Sequence, residues 1–71
     1  MDVSYNKLFK LLIDKEMKKT EFAKAIGISA STLAKLSRNE MVSMDVMVRS
    51  CRKLECNIED IMEVLPETRE R

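Results

Sequence analysis

Residues 18–38 read KKTEFAKAIGISASTLAKLSR, and their reading decides the fold. The apolar or small positions are Phe22, Ala23, Ile26, Ile28, Leu33 and Leu36. Phe22 and Ile26 are four apart and share one face of a first short helix. Leu33 and Leu36 are three apart and share one face of a second. Between them stands Gly27, the only glycine of the chain. A helix that must stop and turn sharply wants a residue that tolerates positive φ, and glycine does so without a Cβ clash. Ser29 follows, placed to cap the second helix by accepting an orphan backbone N–H. Ala23 is small, as a close helix crossing requires.

These residues resemble the helix-turn-helix of the phage Cro and repressor (XRE-like) family. That pattern runs Leu-Ala, a few residues, apolar-Gly-apolar-Ser, then an apolar pair. Here it stands as Phe22-Ala23, Ile26-Gly27-Ile28-Ser29, and Leu33 with Leu36. The likeness covers residues 5–66. It implies an all-α, compact five-helix lambda-repressor-like domain in which the motif forms helices two and three. One departure stands out. The family usually places a capping Ser or Thr before the first motif helix, and here that place is Lys18. Either Thr20 starts the helix late or the cap is missing.

Outward from the motif, the rest of the chain reads as further helices. Ser4 caps a first helix reaching about Lys15, with Tyr5, Leu8, Phe9, Leu12 and Ile13 at helical spacing. Met17 anchors the charged turn that follows. Beyond the motif, Asn39 takes the left-handed turn position where many relatives have glycine. Ser43 caps a fourth helix with the stripe Met44, Met47, Val48, Cys51 and Leu54. Arg49, Arg52 and Lys53 line its outer side. Asn57 and Asp60 resemble a capping box for a fifth helix with the stripe Ile58, Ile61, Met62 and Leu65. Pro66 stops it. Residues 1–71 therefore read as one domain, with its core at 4–66 and a charged, disordered tail at 67–71.

Composition bounds the function. The chain has 71 residues, one Gly and one Pro, which argues for helices and against an all-β fold. The formal net charge of +1 does not by itself suggest a nucleic-acid partner, but its distribution does. Residues 15–38 hold six Lys or Arg against two Glu, whereas residues 39–71 hold five against eight Asp or Glu. Basic charge gathers on the motif. With two cysteines and no histidine, the chain lacks the donors of a tetrahedral zinc site. The N-terminus carries no signal peptide, no run approaches the roughly 20 apolar residues of a bilayer span, and the expected compartment is a reducing cytoplasm. There is no His, no Gly-rich phosphate loop and no metal cluster, so no enzyme and no cofactor are expected.

The resemblance implies a sequence-specific DNA-binding transcriptional regulator of prokaryotic or phage type, a small repressor, with a recognition helix at about 30–37 in the major groove. It assigns base contacts to Ala30, Ser31, Thr32 and Lys35. Ala30 can pack on a thymine methyl, Ser31 and Thr32 can bond several bases, and Lys35 can reach guanine O6 and N7 or a phosphate. Phosphate contacts fall to Lys18, Lys19, Arg38 and Asn39, at the start of the first motif helix and after the second. Family analogy implies a homodimer through helix five, with Val64 and Leu65 as apolar contributors. The alternative is a protein-interaction module on the same fold, an antitoxin, anti-repressor or transcription-machinery adaptor. A redox or ligand signal through Cys51 or Cys56 is a third reading, and nothing in the sequence activates either thiol.

Overall fold

Every helix of this protein is short, and each ends in the same way. The computed structural model describes residues 3–66. In chain order they form a strand β1 (Val3–Ser4), helices α1 (Asn6–Asp14), α2 (Lys19–Ile26), α3 (Ala30–Ser37) and α4 (Met44–Leu54), a 3-10 turn at Ile58–Asp60, and a strand β2 (Glu63–Val64). Among the described residues there are four α-helices, not the five expected. The predicted fifth helix is replaced by the 3-10 turn and β2, which pairs antiparallel with β1 in the register Val3↔Val64 and Ser4↔Glu63. Two local causes act against a helix there. Leu65 precedes Pro66, which disfavours helical backbone at Leu65. Val64 is β-branched and suits a strand. The spacing of Ile58 and Ile61 fits a 3-10 turn as well as an α-helix. Half of the expected capping box forms, since the Asn57 amide donates to Asp60 Oδ2 at 2.9 Å.

A left-handed residue closes each helix: Glu16 (φ 56), Gly27 (φ 74), Asn39 (φ 58) and Glu55 (φ 54). The following amide then reaches back five residues. Met17 N–H bonds Leu12 O at 2.9 Å, Ile28 bonds Ala23 at 3.0 Å, Glu40 bonds Lys35 at 2.9 Å, and Cys56 bonds Cys51 at 3.0 Å. This is the Schellman ending, which satisfies orphan carbonyls and reverses the chain at once. Asn39 takes the left-handed turn as its side chain allows. Glu16 and Glu55 adopt it against their own preference.

The core consists of Val3, Tyr5, Leu8, Leu12, Phe22, Ile26, Leu36, Met47, Leu54 and Ile61. Phe22, Leu36 and Ile61 have no exposed surface. Two expected stripes are rotated. On α1, Ile13 is 74% exposed, because Leu8 and Leu12 face inward and half-buried Leu11 flanks them instead. On α4, Met44 and Val48 are exposed, while Val46 and Ser50 are buried beside Met47 and Leu54. Ser50 tolerates burial because its hydroxyl donates to the Val46 carbonyl at 2.8 Å. Ser4 lies in β1, one residue ahead of the Tyr5 cap position, and its Oγ accepts from Asn6 N–H at 3.2 Å. The expected tail, residues 67–71, lies outside the described residues.

The helix endings give a paired prediction. Glu16→Gly relieves left-handed strain and raises stability by about 1 kcal/mol, whereas Gly27→Ala lowers it by about 1–2 kcal/mol. A Cβ on Gly27 would meet only Arg49 Nη1, at an ordinary 3.6 Å, so that loss is conformational and not steric. Urea unfolding of both variants checks the opposite signs.

Candidate nucleic-acid interface

The motif forms as two eight-residue helices joined at Gly27 and Ile28. Ser29 caps α3, its Oγ accepting from Thr32 N–H at 3.2 Å. The same oxygen lies 3.4 Å from Ser31 Oγ and 3.2 Å from Thr32 Oγ1. This hydroxyl cluster orients the first turn of α3. Buried Leu36 fixes the inner side of the helix, and Ala30, Ser31 and Lys35 are exposed. Thr32 is half-buried, with its amide committed to the cap. Ser31, Lys35 and Arg38 are spaced four and three apart, so they form one outward row. Among the described residues no ion pair involves Lys35.

The phosphate candidates are more constrained. Helix α2 starts at Lys19, so the late start at Thr20 is not what occurs. Lys18 occupies the cap position in extended backbone (φ −75, ψ 152) and offers no side-chain acceptor. Its own amide donates to Glu21 Oε1 at 2.8 Å. The first-turn amides of α2 therefore have no side-chain cap, and a helix start of this kind suits a phosphate oxygen. Glu21 places negative charge at the same end and opposes an anion there. Lys19 Nζ sits 4.4 Å from the centre of the Phe9 ring, a cation–π contact that restrains it near this helix start. Arg38 is held by Glu40, with Nε to Oε2 at 2.7 Å. Both side chains are largely exposed, and such surface pairs contribute at most about 1 kcal/mol. Asn39 Oδ1 accepts the Tyr5 backbone N–H at 3.0 Å, which leaves its Nδ2 as the outward donor. Ser43, a further phosphate option, is occupied as the α4 cap by Val46 N–H at 3.3 Å.

Two positioning residues escaped the sequence reading. Arg49 of α4 donates from Nη1 to the carbonyls of Ile26 (3.2 Å) and Gly27 (3.4 Å), while its Nη2 pairs with Asp45 at 3.1 Å. A cation thus sits at the negative end of the α2 dipole and ties the turn to α4. Tyr5 donates its hydroxyl to the Glu40 carbonyl at 2.8 Å. With the Asn39 bond, it clamps the loop that follows α3. Neither partner is close in sequence, so no local pattern signals them.

The family model of the Cro/C1-type HTH DNA-binding domain matches residues 7–67. The chain belongs to that family. Among solved structures, the crystal structure of the transcriptional regulator VanUg matches at a TM-score of 0.89 and 56% identity, covering 93% of this chain and 88% of that one. No curated protein matches. Among the described residues no helix is long and apolar enough to cross a membrane.

Burial pushes the Tyr5 hydroxyl above its ordinary value, and a backbone hydrogen bond from Val42 partly opposes this. The unfolded chain therefore releases this proton first, so stability present below the ordinary tyrosine range is lost as pH rises through the folded value. Tyr5→Phe should cost about 1 kcal/mol at neutral pH through the lost bond to Glu40. It should also weaken the alkaline decline. Thermal melts of both proteins between neutral and alkaline pH read both effects.

Proposed function

We propose that this Cro/C1-type domain is a sequence-specific transcriptional regulator, a small repressor acting in the cytoplasm, that lays α3 in the major groove. The observation that carries the reading is the outward row Ser31, Lys35 and Arg38 on a helix whose inner side is fixed by Leu36 and whose start is capped by Ser29. Ala30 and Ser31 approach base edges first, Thr32 follows from the side, and Lys35 reaches guanine acceptors one turn later. Lys18 and Lys19 hold a phosphate with the uncapped amides of α2. Arg38 exchanges Glu40 for a phosphate, and Asn39 offers its remaining amide protons.

A homodimer reading two half-sites suits so small a module. Its contact centres on β2, where Val64 is 72% exposed and Leu65 half-buried, in place of the helix expected there. Met41 (67% exposed) and Met44 (64% exposed) line the same apolar groove as Val64. The second reading, an antitoxin or anti-repressor type module, draws on this patch too, since an apolar surface of this kind also suits a different protein.

Selection from random duplexes at two salt concentrations, followed by sequencing, tests the proposal. The expected result is an enriched palindromic motif with affinity falling steeply in salt. Lys19→Ala should then weaken binding to cognate and scrambled duplexes alike, while Lys35→Ala changes the preference, by about 1–3 kcal/mol at one base position. A uniform loss for both variants removes Lys35 from base reading. Absence of any enriched motif favours the protein-binding module, and sedimentation as a strict monomer at high concentration removes the dimer.

A further inference from the structure

Cys51 and Cys56 take no part in the DNA-facing elements, yet the fold brings them together. Both are free and half-buried. They occupy the two positions of the α4 Schellman ending whose side chains meet, around left-handed Glu55. The Cys56 amide donates to the Cys51 carbonyl at 3.0 Å. Because the carbonyl is bent at its carbon, the two Cα atoms on either side of that bond are at most about 6.9 Å apart. Two cysteines farther apart than about 7 Å cannot be bridged without backbone movement, and this pair lies inside that limit. In the other endings the equivalent pairs are Leu12–Met17, Ala23–Ile28 and Lys35–Glu40, so only here can the contact become a bond.

Both thiols open into one shallow depression of about 500 Å³, which Arg52, Asn57 and Ile58 also line. A small molecule can reach them there. Burial pushes the Cys56 thiol up, and the adjacent Cys51 raises it further. Metal binding does not fit: among the described residues no group of three or more His, Cys, Asp or Glu could hold an ion.

We propose that Cys51 and Cys56 form a dithiol site that reacts with small-molecule disulfides and closes to an intramolecular disulfide. The Cys51 thiolate attacks one sulfur of the incoming disulfide, forming a mixed disulfide and expelling a thiolate that takes up the Cys51 proton. Cys56, kept protonated by burial, acts second. It loses its proton and attacks Cys51 Sγ, the mixed bond breaks, and a second small thiol leaves with that proton. One disulfide is consumed, two small thiols are released, and the protein loses two electrons and two hydrogens. The closed ring spans residues 51–56 and fastens the last turn of α4 to the loop that leads into the 3-10 turn. The depression contains no residue of α2 or α3, so closure stabilises the domain and leaves base preference unchanged.

The test exposes the full chain to oxidised glutathione under native conditions, traps free thiols with an alkylating agent and reads intact mass. The expected product is a monomer lighter by two hydrogens, without retained glutathione, resistant to alkylation and reversed by dithiothreitol. Its melting temperature should rise by roughly 5 °C or more, as for a short closed loop. Cys56→Ser should instead retain one glutathione on Cys51. Stable glutathione adducts on the unaltered chain, disulfide-linked dimers, or two thiols that stay fully alkylatable would each overturn the proposal. The measurement on the unaltered chain stands even if the variant fails to fold.

Discussion

Helices of eight to eleven residues are marginal on their own, and here each is stabilised by burying one face against the others. That demands that the chain reverse sharply at every helix end. Four left-handed residues perform the reversal, each followed by an amide that bonds back to the last turn. The direction in which α3 leaves α2 is one instance of this ending. So are the entry into the charged turn after α1 and the meeting of the two cysteines after α4. Only one of the four reversals has a glycine to make it easy. The others are held by the bonds and the packing around them.

Local endings set directions but do not lock the motif in place. Two long-range ties do that. Arg49 bonds the carbonyls where α2 gives way to the turn, and Tyr5 bonds both the side chain of Asn39 and the carbonyl of Glu40 beyond α3. Helix α3 is thus gripped before its start by α4 and after its end by Tyr5, the residue just ahead of α1. Asn39 supplies the backbone turn and the acceptor for Tyr5 together, which explains why asparagine serves where glycine could turn but could not bond. The surface that α3 presents is positioned by these ties, and among the candidate side chains Lys19, Arg38 and Asn39 each hold a contact of their own, while no ion pair among the described residues involves Lys35.

The motif was legible because its signals are local: apolar spacing, one glycine, one capping serine. Gly27, Ser29 and Asn39 do what their residue types suggest. The left-handed Glu16 and Glu55 were not legible, since glutamate carries no preference for that conformation. Ser50 was hidden because a serine counts as polar until its hydroxyl finds a carbonyl one turn back. The fifth helix failed where a spacing of three suits two kinds of turn and where pairing with β1, 60 residues earlier, decided the outcome. In the interface, the base-contact candidates came from the family resemblance, and of these Ala30, Ser31 and Lys35 are exposed while Thr32 is half-buried. The restraints on Lys19, Arg38 and Asn39 depend on partners that sequence order does not reveal.

The pairing of Val3 with Val64 has a further meaning. It makes the backbone a nearly closed ring, with the way in and the way out side by side. Such a ring has no privileged starting point. A short peptide joining the two strands would complete it, and the ring could then be opened at another surface loop with the helix order preserved around the circle. The described chain therefore enters and leaves the fold at one place on its surface.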